Sequence, residues 1–137
     1  MDSPIKWHGG KHYLASKIVA LMPPHVHYVE PYFGSGAVLL TKNPEGVSEV
    51  ANDLNGELTN FWTAIQNPKL FEPFRRFVEA APFSEPEWEA ARSGLNGEHA
   101  EGSFDGQGGI DVVRAAWFFI FCRQSLAGRM KDFATLS

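Results

Sequence analysis

One segment constrains the fold of this chain more than any other, because it joins a run of β-forming residues directly to a glycine turn. Residues His27–Tyr32 are followed at once by Phe33-Gly34-Ser35-Gly36. The pattern predicts a short buried strand that enters a tight turn, after which Ala37–Thr41 begins a helix. Ser48–Ala51 predicts a second strand. Strand, turn, helix and strand in this order predict a right-handed βαβ unit.

The rest of the chain carries helical patterns. Apolar residues fall at helical spacing from Tyr13 to Met22, where Pro23-Pro24 ends the run. Further helices are predicted over Leu54–Ile65, Lys69–Ala80, Glu85–Leu95 and Ile110–Leu126. The last of them is strongly apolar and is expected to be the most buried. Asn96–Gly109 is rich in glycine and predicts a flexible loop within a single domain over residues 1–137.

The number of strands is too small for a complete doubly wound sheet. About five or six strands are typical of such a sheet, and only two are predicted here. We therefore expect an α/β fold whose sheet is incomplete, with the remaining strands in sequence beyond Ser137.

Composition and charge limit the classes of protein that fit. A hydrophobic share of 44% is typical of a folded domain, and a net charge of −4 does not favour nucleic-acid binding. No stretch approaches the roughly 20 apolar residues of a membrane span, and the N-terminus lacks a signal-peptide pattern, so a cytoplasmic location is expected. The lone Cys122 is predicted to be a buried apolar residue, and no metal site is expected.

A cluster of basic residues lies near the C-terminus. Arg114, Arg123, Arg129 and Lys131 fall close together, with only Asp132 among them. The charge pattern fits a basic binding surface and an ordinary solvated helix face equally well.

The most informative acid is Asp53, which follows the second predicted strand. In this architecture an acid at that position accepts both hydroxyl groups of a ribose, while the glycine turn lets the ligand approach the backbone. A dinucleotide site would carry a third glycine where this chain has Leu39, and no P-loop is present. The pattern therefore favours a ligand with one adenosine and a small charged tail.

Three motifs in this chain resemble those of a known family. They are Lys6-Trp7-His8-Gly9-Gly10-Lys11, the stretch from Tyr28 to Val38, and Asn52-Asp53-Leu54-Asn55. In this order they resemble the opening motifs of the Dam-type, D12-class DNA adenine-N6 methyltransferases. Ala115–Met130 is similar to the segment that precedes target recognition in that family. The resemblance implies an incomplete Rossmann-like fold that binds S-adenosylmethionine.

The family also implies roles for individual residues. Its opening Trp, second Lys and the acid after the second strand contact the cofactor, which points to Trp7, Lys11 and Asp53. The full implied set of cofactor-binding residues is Trp7, Lys11, Glu30, Pro31, Phe33, Gly34, Ser35, Gly36 and Asp53. Arg123 and Arg129 are the implied contacts to double-stranded DNA. The resemblance thus predicts the cofactor-binding part of a site-specific adenine methyltransferase, of the kind found in restriction-modification.

No catalytic residue is assigned, because the family's Asp/Asn-Pro-Pro-Tyr/Phe tetrapeptide does not occur in this sequence. The Pro-Pro pair here lies in Met22-Pro23-Pro24-His25 and lacks the polar and aromatic neighbours that hold a flipped adenine. We expect weak or no cofactor binding and no DNA methylation by this chain alone. The alternative is a non-catalytic or split-enzyme subunit that pairs with a partner chain to complete the sheet. A nicotinamide-binding oxidoreductase domain is a third interpretation, disfavoured by the missing third glycine.

Overall fold

The computed structural model describes residues 2–97 and 109–135. In chain order the elements are α1 (Ala15–Ala20), β1 (His27–Glu30), α2 (Ala37–Thr41), β2 (Ser48–Ala51), α3 (Gly56–Gln66), α4 (Pro68–Ala80), α5 (Glu85–Asn96), α6 (Val112–Arg123) and a 3₁₀ turn (Leu126–Gly128). The predicted loop 96–109 lies mostly outside the described residues. Contacts divide the chain into two compact units, Met1–Leu54 and Asn55–Ser137. The expectation of a single domain stays a prediction.

The first unit is built on a two-stranded parallel sheet. β1 and β2 pair with Tyr28 opposite Glu49 and Val29 opposite Val50, which confirms both predicted strands and their order around α2. β1 ends at Glu30, two residues earlier than predicted, because the chain turns there and the next hydrogen bond to the Asn52 backbone oxygen comes from the Phe33 N–H. The result is a mixed helix and strand arrangement compatible with an α/β fold.

One face of this sheet is covered by α1 and α2. A small core of Ala15, Ala37 and Val38 lies between the helices, and Tyr28 of β1 packs against it. α1 is shorter than the predicted Tyr13–Met22 run, since the Tyr13 and Leu14 side chains lie in the preceding turn and are exposed. The opposite face of the sheet carries Val29 and Val50, both more than half exposed.

The second unit consists of four helices whose starts are set by polar caps. Asn55 accepts from the Leu58 N–H at 3.0 Å, and Ser84 accepts from the Glu87 N–H at 3.3 Å. Asn67 caps α4, and Pro68 fills its first turn, so the pair ends one helix and starts the next. The predicted stop at this pair is therefore confirmed.

Aromatic rings fill the core of the second unit. Phe61 of α3 is fully buried and lies within 6.0 Å, between ring centroids, of Phe74, Phe118 and Phe119. Among the described helices α6 has the most buried residues, as predicted, and Cys122 is fully buried. α6 ends at Arg123, three residues before the predicted end.

Arg114 corrects one expectation about charge. Its side chain is only 3% exposed and forms an ion pair with Glu57 of α3. It also donates to the backbone oxygen of Leu95 at 3.1 Å. Because α6 begins against α3 and the end of α5, this arginine ties the three helices together. Both expected surroundings of Arg114, a basic binding surface and a solvated helix face, are therefore wrong for this residue.

The described ranges contain neither a helix that could span a membrane nor a group of side chains that could bind a metal. No helix in them has the length and apolar character needed to cross a membrane. Within residues 2–97 and 109–135, no three His, Cys, Asp or Glu side chains group in a way that could hold a metal ion.

Candidate functional site

The turn after β1 is fixed by hydrogen bonds to the end of β2. The Gly34 N–H donates to Asp53 Oδ2 at 2.9 Å, and the Phe33 N–H donates to the Asn52 oxygen at 2.9 Å. The residues that follow the two strands therefore lie close together at the carboxyl edge of the sheet. This edge is where ligands bind in open α/β sheets. The Asp53 side chain lies at the turn.

Two glycines make this turn geometrically possible. Gly34 has φ +52° and Gly36 has φ +68°, both in the left-handed region. A Cβ at Gly34 would lie 2.9 Å from Cδ1 of Trp7, and one at Gly36 would lie 2.5 Å from Cζ of Phe33. Each glycine thus provides the space that an aromatic ring occupies, and Trp7 lies directly against the turn.

A cavity of about 190 Å³ opens at this point. It is lined by Trp7, Gly9, Gly10, Lys11, Glu30, Tyr32, Phe33, Gly34, Ser35, Ala37 and Asp53. Typical ligand sites have volumes of roughly 300–1,000 Å³, so this cavity has room for part of a nucleoside-sized molecule. A neighbouring cavity of about 230 Å³ shares Lys11, Glu30 and Tyr32 with it.

Most of the predicted cofactor residues come together at the first cavity. Pro31 and Gly36 are absent from its lining. Pro31 lines the neighbouring cavity instead, and Gly36 sits at the start of α2. Gly36 therefore shapes the turn through its backbone.

A charged pair stands at the side of this cavity. Glu30 is 7% exposed, and its Oε1 lies 3.9 Å from Nζ of the half-exposed Lys11. Burial raises the pKa of Glu30, an effect opposed by hydrogen bonds from Tyr28 and from the backbone of Leu39 and by the Lys11 charge. The site therefore offers one cationic and one anionic group side by side.

The Tyr28 hydroxyl is a functional group that sequence reasoning missed. It donates to Glu30 Oε2 at 3.2 Å, and burial is the main cause that raises the pKa of Tyr28 to about 12. The available signal was the spacing, since residues two apart on a strand share a face. Gly9, Gly10 and Tyr32 also line the cavity, and all three stand inside the motifs that carry the family resemblance.

The two predicted DNA contacts lie in the second unit. Arg123 ends α6 and Arg129 follows the 3₁₀ turn, and both are exposed. The Leu126 N–H donates to the Asp132 oxygen at 2.9 Å, closing the loop that carries Arg129. Ser125 has an extended backbone there, with φ −84° and ψ 145°, which explains why α6 cannot continue to Leu126.

Comparison with known proteins identifies the class to which this fold and site belong. The family described as D12 class N6 adenine-specific DNA methyltransferase matches residues 7–96, and the chain belongs to this family. Over 66 residues it is 39% identical to the Type II methyltransferase M1.LlaDCHI of Lactococcus lactis subsp. cremoris. Over 64 residues it is 33% identical to the DNA N-6-adenine-methyltransferase of Escherichia phage P1.

Both alignments are partial. Each covers 47% of this chain, but they cover only 22% of the Lactococcus protein and 8% of the phage protein. The chain thus spans less than a quarter of the length of these curated relatives.

Proposed function

We propose that this chain is the cofactor-binding part of a site-specific DNA adenine-N6 methyltransferase with a Rossmann-like fold, and that its ligand is S-adenosylmethionine. The observation that supports this most directly is the 2.9 Å hydrogen bond from the Gly34 N–H to Asp53 Oδ2 at the wall of a cavity. It holds an acid at the place where a ribose is gripped in this architecture.

Asp53 suits the ribose for a further reason. An ionised carboxylate can accept about four hydrogen bonds, so a carboxylate that fixes a turn is also a suitable acceptor for sugar hydroxyls. Trp7, against the same turn, offers an aromatic face that suits an adenine ring or a sulfonium group. These two side chains account for the adenosyl part of the ligand.

Lys11 and Glu30 suit the amino-acid end. Methionine carries a carboxylate and an ammonium group, and the two side chains present opposite charges 3.9 Å apart. Lys11 fits the carboxylate, and Glu30 fits the ammonium, each by a charge-assisted hydrogen bond. Phe33, Gly34, Ser35 and Gly36 form the turn over which the ligand lies, and Pro31 shapes its edge.

When bound, S-adenosylmethionine supplies the methyl group that passes to the amino nitrogen of adenine by in-line displacement. The residues of this chain bind and orient the donor, and alignment is the main contribution that a protein makes to such a step. None of them is assigned to hold the adenine. In the parent activity, double-stranded DNA is the second ligand, and Arg123 and Arg129 are the proposed contacts to its phosphates.

A second candidate function is a subunit that pairs with a partner chain. β1 pairs with β2 alone among the described strands, and Val29 on its outer face is 61% exposed. Parallel sheets are normally covered on both faces, and an unpaired strand edge favours pairing with another strand. A partner that supplies further strands would complete this sheet. We also propose that the protein is cytoplasmic.

Binding of small molecules by the 137-residue chain tests the main proposal. We expect weak binding of S-adenosylmethionine in an NMR titration to millimolar concentration, with amide shifts at Gly34 and Asp53, and weaker binding of NAD. Asp53→Ala should lower the affinity at least about tenfold, because a hydrogen-bonded charge is lost. Asp132→Ala, which removes an exposed carboxylate outside the cavity, is the matched control.

Three results would contradict the proposal. They are tighter binding of NAD than of S-adenosylmethionine, shifts induced by S-adenosylmethionine that leave both amides unmoved, and an Asp53→Ala variant that binds as well as the wild type. DNA methylation assays of the same chain should stay at background, since it contains no tetrapeptide for the adenine. Methyl transfer by the purified chain would show that some other residues hold the base.

A further inference from the structure

We propose that Tyr28 is a positioning residue of the cofactor site, whose hydroxyl holds the Glu30 carboxylate in place for the ammonium group of the ligand. This inference rests on the proposed function, because it assumes that S-adenosylmethionine binds in the cavity beside Glu30. It adds a residue that makes no contact with the ligand itself. Tyr28 lines the neighbouring cavity and is absent from the lining of the first.

The geometry around Glu30 is specific. Tyr28 and Glu30 lie two residues apart on the same face of β1, and the Tyr28 hydroxyl donates to Oε2 at 3.2 Å. The other oxygen, Oε1, lies 3.9 Å from Nζ of Lys11 at the cavity. Oε2 is thus held by the Tyr28 hydroxyl, while Oε1 lies on the side of the cavity where Lys11 stands.

Contacts with Lys42 restrain the ring of Tyr28. Nζ of Lys42 lies 5.4 Å from the centroid of the Tyr28 ring, a cation–π contact. Lys42 is 6% exposed and pairs with Glu49 Oε1 at 2.7 Å, and Glu49 stands opposite Tyr28 in the β1–β2 register. Lys42 also donates to the Asn43 oxygen at 3.0 Å. The ring therefore has little freedom to turn its hydroxyl away from Glu30.

The charges around Glu30 give the hydroxyl a measurable effect. Burial raises the pKa of Glu30, whereas Tyr28 from β1, Lys11 from the opening segment and the Leu39 backbone of α2 each lower it. Glu49 of β2 acts on Tyr28 and helps to raise its pKa to about 12, so the hydroxyl stays a donor at neutral pH. Removing the hydroxyl should therefore raise the pKa of Glu30 further and disfavour the anion that an ammonium group needs.

The decisive experiment compares two ligands in wild type and Tyr28→Phe. Adenosine shares the sugar and base of S-adenosylmethionine but lacks its amino-acid end, so it does not need Glu30. We expect Tyr28→Phe to weaken binding of S-adenosylmethionine about threefold to tenfold. Adenosine binding should change by less than about twofold, since Asp53 and Trp7 are untouched.

A pH profile provides a readout that a purely structural role would not move. Affinity for S-adenosylmethionine should fall as the pH drops through the pKa of Glu30, because the neutral acid cannot attract an ammonium group. In Tyr28→Phe this midpoint should lie at higher pH. Tyr13→Phe is the matched control, because it removes a hydroxyl from a side chain that is 91% exposed. It should leave both affinities and the midpoint unchanged.

A double-mutant cycle separates positioning from general damage. If Tyr28 acts through Glu30, adding Tyr28→Phe to Glu30→Gln should cause no further loss of S-adenosylmethionine binding. Equal weakening of adenosine and S-adenosylmethionine in Tyr28→Phe, an unmoved midpoint, or additive effects in the cycle would each overturn the inference. A wild type that binds adenosine but not S-adenosylmethionine would instead overturn the proposed function, and with it this inference.

Discussion

The two units of the molecule bury their large apolar side chains to different extents. In Asn55–Ser137, large rings such as Phe61, Phe74 and Trp88 are buried against one another. In Met1–Leu54, the buried apolar residues are mostly small, and several large ones are exposed. The exposed ones include Tyr13, Leu21, Val26, Val29, Tyr32, Val50 and Leu54.

The difference separates stability from chemistry. Burial of large apolar side chains is the main favourable term in folding, so the second unit has the stronger core of its own. The first unit contains the cavity, the turn at Gly34 and Gly36 and the buried Glu30 beside it, which are features of sites more than of cores. We infer that substitutions in the second unit act mainly on folding, and those at the first unit's turn mainly on binding.

The largest expected effect is that of Phe61→Ala. Phe61 is fully buried among other rings, and replacement of a core phenylalanine by alanine costs about 3–5 kcal/mol. Urea unfolding followed by tryptophan fluorescence should show this loss. Val29→Ala in the first unit, at an exposed position, should change the free energy of unfolding by less than about 0.5 kcal/mol. Equal losses of unfolding free energy in the two variants would contradict the stronger core assigned to the second unit.

A smaller effect is expected at the ion pair of the second unit. Glu57→Ala leaves the buried Arg114 without its carboxylate, which should destabilise the protein by about 2–3 kcal/mol. The value is below the roughly 3–5 kcal/mol typical of breaking a fully buried pair, because the Glu57 side chain is 32% exposed. Glu72→Ala removes a carboxylate that pairs with Arg75 at the surface, and it should cost less than about 0.5 kcal/mol. A Glu57→Ala variant as stable as Glu72→Ala would show that the pair is not structural.

Much of the fold could be predicted because local rules decide it. The helix start after Ser84, the two strands, and the stop at Asn67-Pro68 follow from caps, β-forming residues and proline chemistry. α3 instead starts at Gly56, two residues after the predicted Leu54. The convergence of Gly34 with Asp53 also follows, since parallel strands end at the same edge. The assignment of cofactor contacts to these residues stays a prediction.

What sequence reasoning missed depends on packing between distant elements. Arg114 was predicted to be one of several surface charges. It is buried instead, because it pairs with Glu57, which is far away in the sequence. The early end of α6 depends on the bridge between Ser125 and Phe133, which no helical pattern contains. The role of Tyr28 depends on Lys42, which packs on its ring, and on Glu49 of the neighbouring strand. Such contacts are tertiary and leave no periodic signal.

The turn of the first unit can be tested by a matched pair of glycines. Gly36→Ala places a methyl group at φ +68° and 2.5 Å from the Phe33 ring, whereas Gly46 has φ +72° and nothing within 4 Å of its Cβ position. The left-handed backbone alone costs about 1–2 kcal/mol in each variant. Any further loss in Gly36→Ala measures the clash, and its binding of S-adenosylmethionine should fall while that of Gly46→Ala stays normal. If the two variants had the same stability and the same affinity for S-adenosylmethionine, the turn at Gly36 would not be part of the cofactor site.

The smallest expected effect on stability, and the sharpest test of the comparison, is that of Glu30→Gln. Burial raises the pKa of Glu30 above the ordinary value of 4.5, so the folded state favours the neutral acid. The stability that this group contributes is therefore complete below the ordinary pKa and is lost as the pH rises through the raised one. Glutamine does not ionise, so the stability of the variant relative to wild type should increase as the pH rises from the ordinary pKa through the raised one.

Binding by the same variant should change in the opposite direction. Glutamine cannot attract an ammonium group as a carboxylate does, so affinity for S-adenosylmethionine should fall about tenfold at neutral pH. Thermal unfolding at several pH values and a ligand titration measure the two quantities on one protein. A Glu30→Gln variant that loses stability as the pH rises, or that keeps full affinity, would mean that this carboxylate serves the fold and not the ligand.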